Sequence, residues 1–181
     1  MWFKDRFIRV CVSDYTEDSV LSILQDFQAS VLISFLQGAG RLYIELHQAW
    51  LNACIKSPTC KRFIPSEWAG NVDDFPLLPK FYAGSRQPFR EILKETSEVE
   101  WTLFNCGWLM DYFLPQSKTR MPPEPNDIPI DPNAWRACIR GSGDEMQSWT
   151  FSRDVAKAVK ELLVSPKWVS GCRAFFCHLV R

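Results

Sequence analysis

Short apolar runs alternate with segments of helical periodicity along most of the chain. The apolar runs predict strands at Arg9–Tyr15, Ser30–Leu36, Lys61–Pro65 and Trp101–Asn105. Apolar residues at helical spacing predict helices between them, at Val20–Phe27, Leu42–Cys54 and Gly84–Thr96. Strands that alternate with helices form parallel sheets, so the pattern predicts an α/β fold with helices on both faces of the sheet.

The rest of the chain is less regular. Residues 115–133 are rich in proline, which predicts an irregular surface excursion. Arg136–Arg140 is a weaker strand candidate, and Val155–Leu163 has helical spacing that Pro166 closes. Residues 169–181 lack the pattern of a further element and are interpreted as an atypical tail. The length of 181 residues predicts a single domain over 1–181.

The charges of the chain balance, since Lys+Arg and Asp+Glu both number 21. A chain without net charge has no global field that attracts nucleic acid or an anionic membrane. No apolar run approaches the roughly 20 residues that span a bilayer, and the N-terminus lacks the apolar core of a signal peptide. These features predict a soluble, cytoplasmic protein with neither nucleic-acid nor membrane partners.

The seven cysteines include no CxxC pair. An odd number of dispersed cysteines predicts reduced thiols that serve mainly as small core residues. Cys172, Cys177 and His178 cluster near the end of the chain, but they match no familiar ligand spacing and have no evident fourth ligand. No metal site is predicted.

The segment Lys61–Trp68 is the most informative stretch for chemistry. Pro65 removes a backbone donor and ends the predicted strand, which leaves Ser66 and Glu67 at its carboxyl end. In open α/β sheets this end faces the ligand crevice, where a hydroxyl and a carboxylate can take part in chemistry. The alternative is that both side chains only cap a loop.

The motif RFIPSEW in this segment resembles the R-F-I-P-S-E-[FW]-G strand of the NmrA-like and isoflavone-reductase-like proteins, and of their fungal members in particular. These proteins are an atypical branch of the short-chain dehydrogenase/reductases. Ala69 is inserted here before the glycine. Glu100–Leu103 with Cys106–Tyr112, and Ser152–Val159, fit the same family in the same order. The resemblance extends from about Val10 to Trp168.

The resemblance implies an NAD(P)-binding Rossmann-like fold, truncated at the N-terminus. The family's glycine-rich G-x-x-G-x-x-G turn, which holds the pyrophosphate, does not occur in residues 1–181. Gly38 and Gly40 correspond to the turn after the family's fourth strand, and with Pro65 and Ser66 they are the expected cofactor contacts. We therefore expect weak or no NADP binding by this chain. The family's first two strands have no counterpart either. Either Arg9–Tyr15 and Ser30–Leu36 then pair side by side, or an unpaired sheet edge promotes self-association.

The family's acid/base lysine corresponds to Arg86, by alignment of its K-x-x-x-R pattern. Arginine stays protonated, so it can orient a carbonyl or phosphate but cannot act as a general base. Lys80, Tyr82 and Glu67 are the other candidates for catalysis, although a surface lysine and a core tyrosine are the preferred interpretations of Lys80 and Tyr82. Asn105, Gly107 and Trp108 follow a predicted strand and are the expected substrate contacts.

Two functions fit these observations. One is an NmrA-like oxidoreductase that uses NADPH to reduce a small metabolite in fungal secondary-metabolite biosynthesis. The other is a non-catalytic regulatory or binding protein of the same family. A cofactor-free isomerase or cyclase that uses the same crevice stays open as well.

Overall fold

The computed structural model describes residues 2–3, 6–68, 70, 80–115, 117–119, 121, 130–131, 134–139, 141–144, 147–168, 173–175 and 178–180. The helices are α1 Glu17–Asp26, α2 Gly40–Lys56, α3 Lys80–Ala83, α4 Arg86–Lys94 and α5 Ser152–Val164. The strands are β1 Trp2–Phe3, β2 Arg6–Phe7, β3 Val31–Ile33, β4 Arg62–Ile64, β5 Glu100–Trp101, β6 Leu103–Asn105, β7 Trp108–Leu109, β8 Ile130–Asp131, β9 Arg136–Ala137, β10 Gln147–Thr150, β11 Arg173–Phe175 and β12 His178–Val180.

The chain divides into two compact units. The first comprises residues 1–66, 72–103 and 167–172, and the second comprises residues 67–71, 104–166 and 173–181. The single domain that the length predicts stays a prediction.

The first unit is built on a parallel sheet in the order β3-β4-β5. Leu32 lies opposite Phe63, and Phe63 lies opposite Trp101. The pairing continues beyond the strand ends, where the Ser34 N–H donates to the Ile64 carbonyl at 2.8 Å. The predicted parallel sheet is therefore confirmed, with strands shorter than the apolar runs that predicted them.

Helices α1, α2 and α4 pack against one another in sequence, α1 on α2 and α2 on α4. Helix α1 is capped by Thr16, whose hydroxyl accepts a hydrogen bond from the Ser19 N–H. The core between helices and sheet is apolar and includes the buried side chains Leu24, Tyr43, Trp50, Leu51, Phe63, Phe89, Leu93 and Trp101.

The strand predicted at Arg9–Tyr15 does not form, because residues 8–16 have neither helix nor strand structure. Val10 and Val12 leave 69% and 95% of their surface exposed. A strand needs a neighbour for its backbone groups, and β-propensity alone does not supply one. Asp14 instead makes a local turn, accepting hydrogen bonds from the N–H and hydroxyl of Thr16 at 3.0 and 2.7 Å.

The outer end of the sheet is held by Glu100. Its Oε2 accepts a hydrogen bond from Arg62 Nε at 2.9 Å and another from the backbone N–H of Trp168 at 3.2 Å. The Arg62 guanidinium lies over the Trp168 ring, 5.1 Å from its centroid. Trp168 is buried, so a residue far along the chain completes the first unit.

The second unit contains a sheet in the order β12-β10-β7, in which β7 and β10 are parallel and β12 is antiparallel to β10. Residues 169–181 were expected to lack a folded element, and β11 and β12 correct that expectation. Strand β12 is stabilised by its pairing with β10. A three-residue strand that depends on such a distant partner is too short to show a pattern of apolar residues, so the sequence did not predict it.

The predicted excursion at 115–133 lies partly outside the described residues. Its described end contributes β8, which pairs antiparallel with β9, so a short hairpin occupies part of the Arg136–Arg140 strand candidate.

The helix predicted at Val155–Leu163 is confirmed as α5. Among the helices described, none has the length and apolar character that crossing a membrane requires.

Candidate functional site

The turn after β4 is fixed by two side chains of helix α2. Pro65 ends β4, and Ser66 follows it in a buried position. The Ser66 N–H donates to Nε2 of His47 at 3.2 Å, and the Ser66 carbonyl accepts a hydrogen bond from the Tyr43 hydroxyl at 3.1 Å. Both backbone polar groups of Ser66 are therefore held, which leaves its side chain on a rigid support.

His47 is fully buried, and its partners define its tautomer. Nδ1 lies 2.9 Å from the Tyr43 carbonyl, which can only accept, so Nδ1 carries the proton. Nε2 receives the Ser66 N–H and lies 3.0 Å from the Ser34 hydroxyl, which therefore donates to it. Burial, together with the nearby Arg86 charge, lowers the pKa of His47 to about 4, although the hydrogen bond to the Tyr43 carbonyl acts in the opposite direction. The imidazole is neutral near pH 7.

Arg86, the expected catalytic residue at the start of α4, is buried and immobilised. Its Nη1 donates to the Gly38 carbonyl at 2.6 Å and to the Ser85 hydroxyl at 3.1 Å. The guanidinium stacks on the Tyr43 ring at 4.1 Å and on the Tyr82 ring at 4.8 Å. A planar cation held this way can polarise a ligand oxygen, but it cannot remove a proton.

Asn105, an expected substrate contact, lies in the second unit and is buried. Its Nδ2 donates to the carbonyls of Glu67 and Gly70 at 3.2 and 3.3 Å, and because carbonyls only accept, this fixes the orientation of the amide. Oδ1 has no hydrogen-bond partner among the described residues. A buried acceptor without a donor costs about 1–3 kcal/mol, so it is a natural position for a ligand O–H or N–H.

Gly107 and Trp108 have packing contacts in the second unit. Gly107 has φ +66°, and a Cβ there would lie 2.4 Å from the Ser148 carbonyl oxygen. The close approach that glycine permits is thus made by the chain's own backbone. The Trp108 ring lies 6.2 Å from the Trp149 ring across the parallel pair β7 and β10.

The predicted site residues are divided between the two units. Gly38, Pro65, Ser66 and Arg86 belong to the first unit, where Tyr43 contacts both Ser66 and Arg86. Glu67 is buried and joins Asn105 in the second unit. Lys80 begins α3, but its side chain lies outside the described residues.

The sequence interpretation missed Tyr43 and His47. The available signal was their i, i+4 spacing on the otherwise apolar face of α2, where a histidine needs a polar partner. No three His, Cys, Asp or Glu side chains are close enough to hold a metal ion within the described part of the chain. The cluster of Cys172, Cys177 and His178 has its side chains outside that part.

The start of helix α2 has room for a polar or anionic part of a ligand, and the start of helix α1 is less suited to one. Positions Gly38 and Gly40 have open space where a Cβ would stand, and Gly40 has φ +64°. Helix α2, which starts there, has no acidic residue in its first turn and no side-chain cap. Helix α1 differs, because its first turn carries Glu17 and Asp18 and would repel a phosphate.

The curated proteins that the chain resembles are named oxidoreductases. No protein-family model matches the chain. It is 40% identical over 160 residues to "Oxidoreductase swnR" of Arthroderma benhamiae and 33% identical over 156 residues to "Oxidoreductase swnR" of Metarhizium robertsii. These matches cover 88% and 86% of this chain but 52% and 50% of the relatives. The chain therefore spans about half the length of the curated relatives it matches.

Solved structures give the fold. A ternary complex of leucoanthocyanidin reductase from Vitis vinifera aligns with a TM-score of 0.63 at 18% identity, over 91% of this chain and 54% of that one. The structure described as "AtPrR2 with NADP+ and (+)pinoresinol" aligns with a TM-score of 0.60 at 20% identity, over 88% of this chain and 49% of that one. The predicted Rossmann-like α/β fold is thus confirmed, as that of NADP-binding reductases of the isoflavone and pinoresinol reductase type.

Proposed function

We propose that this chain acts as an NADPH-dependent oxidoreductase that reduces a small metabolite in fungal secondary-metabolite biosynthesis. The observation that carries the proposal is the 40% identity to a named oxidoreductase over 88% of the chain. The fold shared with NADP-bound reductases supports the same cofactor. A bound nicotinamide would supply the hydride.

The described residues have binding and orienting roles in this proposal. Ser66 presents its hydroxyl from a turn that His47 and Tyr43 hold still. Arg86 supplies a fixed positive charge beside Gly38, suited to a carbonyl or phosphate oxygen. In the second unit, Asn105 Oδ1 supplies an acceptor for a substrate O–H or N–H. The substrate class is therefore a metabolite with a hydrogen-bond donor, such as a phenol.

A non-catalytic binding protein is the second candidate, and the state of Arg86 favours it. The residue at the position of the family's lysine is a buried cation, fixed by hydrogen bonds and two aromatic rings. Binding and orientation need no proton transfer, so this arrangement suits a regulatory protein as well as an enzyme. A cofactor-free isomerase or cyclase would also need a proton carrier other than Arg86.

Titration of the chain with NADPH tests the proposal, with tryptophan fluorescence and thermal unfolding followed together. Binding in the micromolar range that raises the melting temperature supports nicotinamide chemistry. Gly38→Val fills the open space beside Arg86 and should weaken this binding at least tenfold. Gly84→Val, at a second open glycine, is the matched control. A folded chain that binds no NADPH would rule out nicotinamide chemistry and leave the non-catalytic protein or the cofactor-free isomerase or cyclase.

Two small aromatic probes test whether a ligand at Asn105 must carry a hydrogen-bond donor. Catechol carries two hydroxyl donors, and 1,2-dimethoxybenzene has the same ring without them. We expect catechol to bind at least tenfold more tightly, because only catechol satisfies Asn105 Oδ1. In Asn105→Leu the preference should disappear. Equal affinity of the two probes for the native chain would contradict the assignment.

A further inference from the structure

Two thiols meet inside the first unit, away from the candidate site. Cys54 lies near the end of α2, and Cys60 lies just before β4. Both side chains are fully buried, and their sulfur atoms are 3.7 Å apart. The connecting turn is fixed, because the Ser57 hydroxyl accepts hydrogen bonds from the N–H groups of Thr59 and Cys60 at 3.3 and 3.0 Å.

The hydrogen bonds around the pair give its two sulfurs different roles. The Cys60 thiol donates to the Arg62 carbonyl at 3.8 Å, so the Cys60 sulfur is the acceptor for the Cys54 thiol. This bond lowers the pKa of Cys60 and raises the pKa of Cys54. The Lys61 ammonium, bound to the Ile55 carbonyl at 2.7 Å, adds positive charge near both sulfurs. Cys60 is therefore the better nucleophile.

We infer that Cys54 and Cys60 form a dithiol site that hydrogen peroxide converts into an intramolecular disulfide. The Cys60 thiolate attacks a peroxide oxygen, the O–O bond breaks, and hydroxide leaves with a sulfenic acid on Cys60. Cys54 then loses its proton and attacks that sulfur, the S–O bond breaks, and the departing oxygen leaves as water. The two thiols lose two electrons and two protons, and the peroxide is reduced to two molecules of water.

The geometry permits this closure. A disulfide has an S–S distance of about 2.05 Å, so the two sulfurs must approach by about 1.6 Å. Side-chain rotation divides this movement between two residues that the short turn already holds together. The inference is independent of the proposed oxidoreductase function, since it involves neither cofactor nor substrate.

Peptide mapping of the folded chain tests the inference. The background is C11S/C138S, which removes the two described cysteines that are exposed. After peroxide treatment of the folded chain, guanidinium chloride unfolds it in the presence of N-ethylmaleimide, which blocks the unreacted thiols, and the chain is then cleaved with trypsin. Cleavage after Arg41, Lys56 and Lys61 places Cys54 on peptide 42–56 and Cys60 on peptide 57–61. We expect these peptides to be linked, two hydrogens lighter than their separate masses, and to be released by dithiothreitol.

Single variants assign the two roles. In Cys54→Ser, the sulfenic acid of Cys60 has no resolving thiol, so dimedone should label Cys60. In Cys60→Ser, Cys54 should remain unlabelled. Recovery of both cysteines as maleimide adducts, or linkage to Cys106 in comparable amount, would overturn the inference. Dimedone on Cys54 and not on Cys60 would overturn the order of the two steps.

Discussion

The imidazole of His47 accepts a hydrogen bond from the backbone N–H of Ser66, 19 residues further along the chain, at 3.2 Å. This contact joins helix α2 to the turn where the candidate chemistry lies. The Tyr43 hydroxyl holds the other side of the same residue, and the rings of Tyr43 and His47 stack at 3.9 Å. The turn after β4 is therefore a rigid part of the first unit.

Replacement of His47 by leucine tests the strength of this contact. The Ser66 N–H and the Ser34 hydroxyl would lose their buried acceptor. Each buried donor left without a hydrogen bond lowers the free energy of unfolding by about 1–3 kcal/mol. We expect His47→Leu to lower the free energy of unfolding by about 2–5 kcal/mol, measured by urea denaturation. Gln48→Leu is the matched control, at an exposed neighbour on α2, and should change it by less than about 0.5 kcal/mol. Equal effects would show that the contact contributes nothing specific.

The pH dependence of stability should report the same histidine. The pKa of His47 falls from 6.5 to about 4 on folding, so between these values the unfolded chain binds more protons than the folded one. The stability that neutral His47 confers is complete above pH 6.5 and is lost as the pH falls towards 4. We expect the native chain to lose about 3 kcal/mol more than His47→Gln over this interval. Parallel curves for the two proteins would contradict this expectation.

Arg86→Lys restores the residue type that the family resemblance implies. Lysine keeps the charge but loses the planar stack on Tyr43 and Tyr82 and the fixed direction of the bond to Gly38. We expect a loss of about 1–2 kcal/mol in thermal or urea unfolding. Arg41→Lys, at an exposed arginine on α2, is the control and should be neutral. A neutral Arg86→Lys would mean that the aromatic stack is not a source of stability.

Gly107→Ala should destabilise the second unit. The new methyl group would meet Ser148 backbone at 2.4 Å, and the φ of +66° disfavours any side chain. We expect a loss of about 2 kcal/mol or more, with weaker amide-hydrogen protection in β7 and β10 by hydrogen exchange. Gly84→Ala, where a Cβ meets open space, should stay near the native value. Native protection in Gly107→Ala would show that the two strands can separate without cost.

We propose that the edge of the first sheet mediates self-association. The Ser34 N–H faces β4, so the backbone groups of Val31 and Ile33 face the other way, where no described strand pairs with them. Phe35, next to this edge, is 71% exposed. We expect a concentration-dependent dimer in sedimentation experiments, which Phe35→Glu weakens. Phe151→Glu, an exposed phenylalanine of the second unit, is the control. A native chain that stays monomeric would refute the proposal.

The elements that the sequence predicted well are those with strong local signals. Helix α2 carries its apolar residues at helical spacing over 17 residues, and Pro65 marks the end of β4. Arg9–Tyr15 has the same apolar character as a strand, but a strand also depends on a neighbour, which spacing along the chain does not reveal. The short strands β11 and β12 escaped notice for the same reason.

The candidate site was predictable only in part. The family resemblance named Gly38, Ser66 and Arg86 as candidates. In the structure Arg86 contacts Gly38, and Tyr43 contacts both Arg86 and Ser66. The contacts of His47 with Ser34 and Ser66 span 13 and 19 residues, and they follow from how α2 lies on the sheet. The spacing of residues along the chain does not reveal that placement, so the sequence did not predict that His47 holds the turn at Ser66.

The contact of Trp168 with Glu100 and Arg62 has a consequence for synthesis on the ribosome. The chain leaves the first unit after Leu103 and returns only at Lys167. Strands β3, β4 and β5 emerge long before the tryptophan that covers their end, so the nascent sheet has to persist without it while the intervening residues are made. Chaperone binding to this nascent chain should accordingly end only after Trp168 has left the exit tunnel.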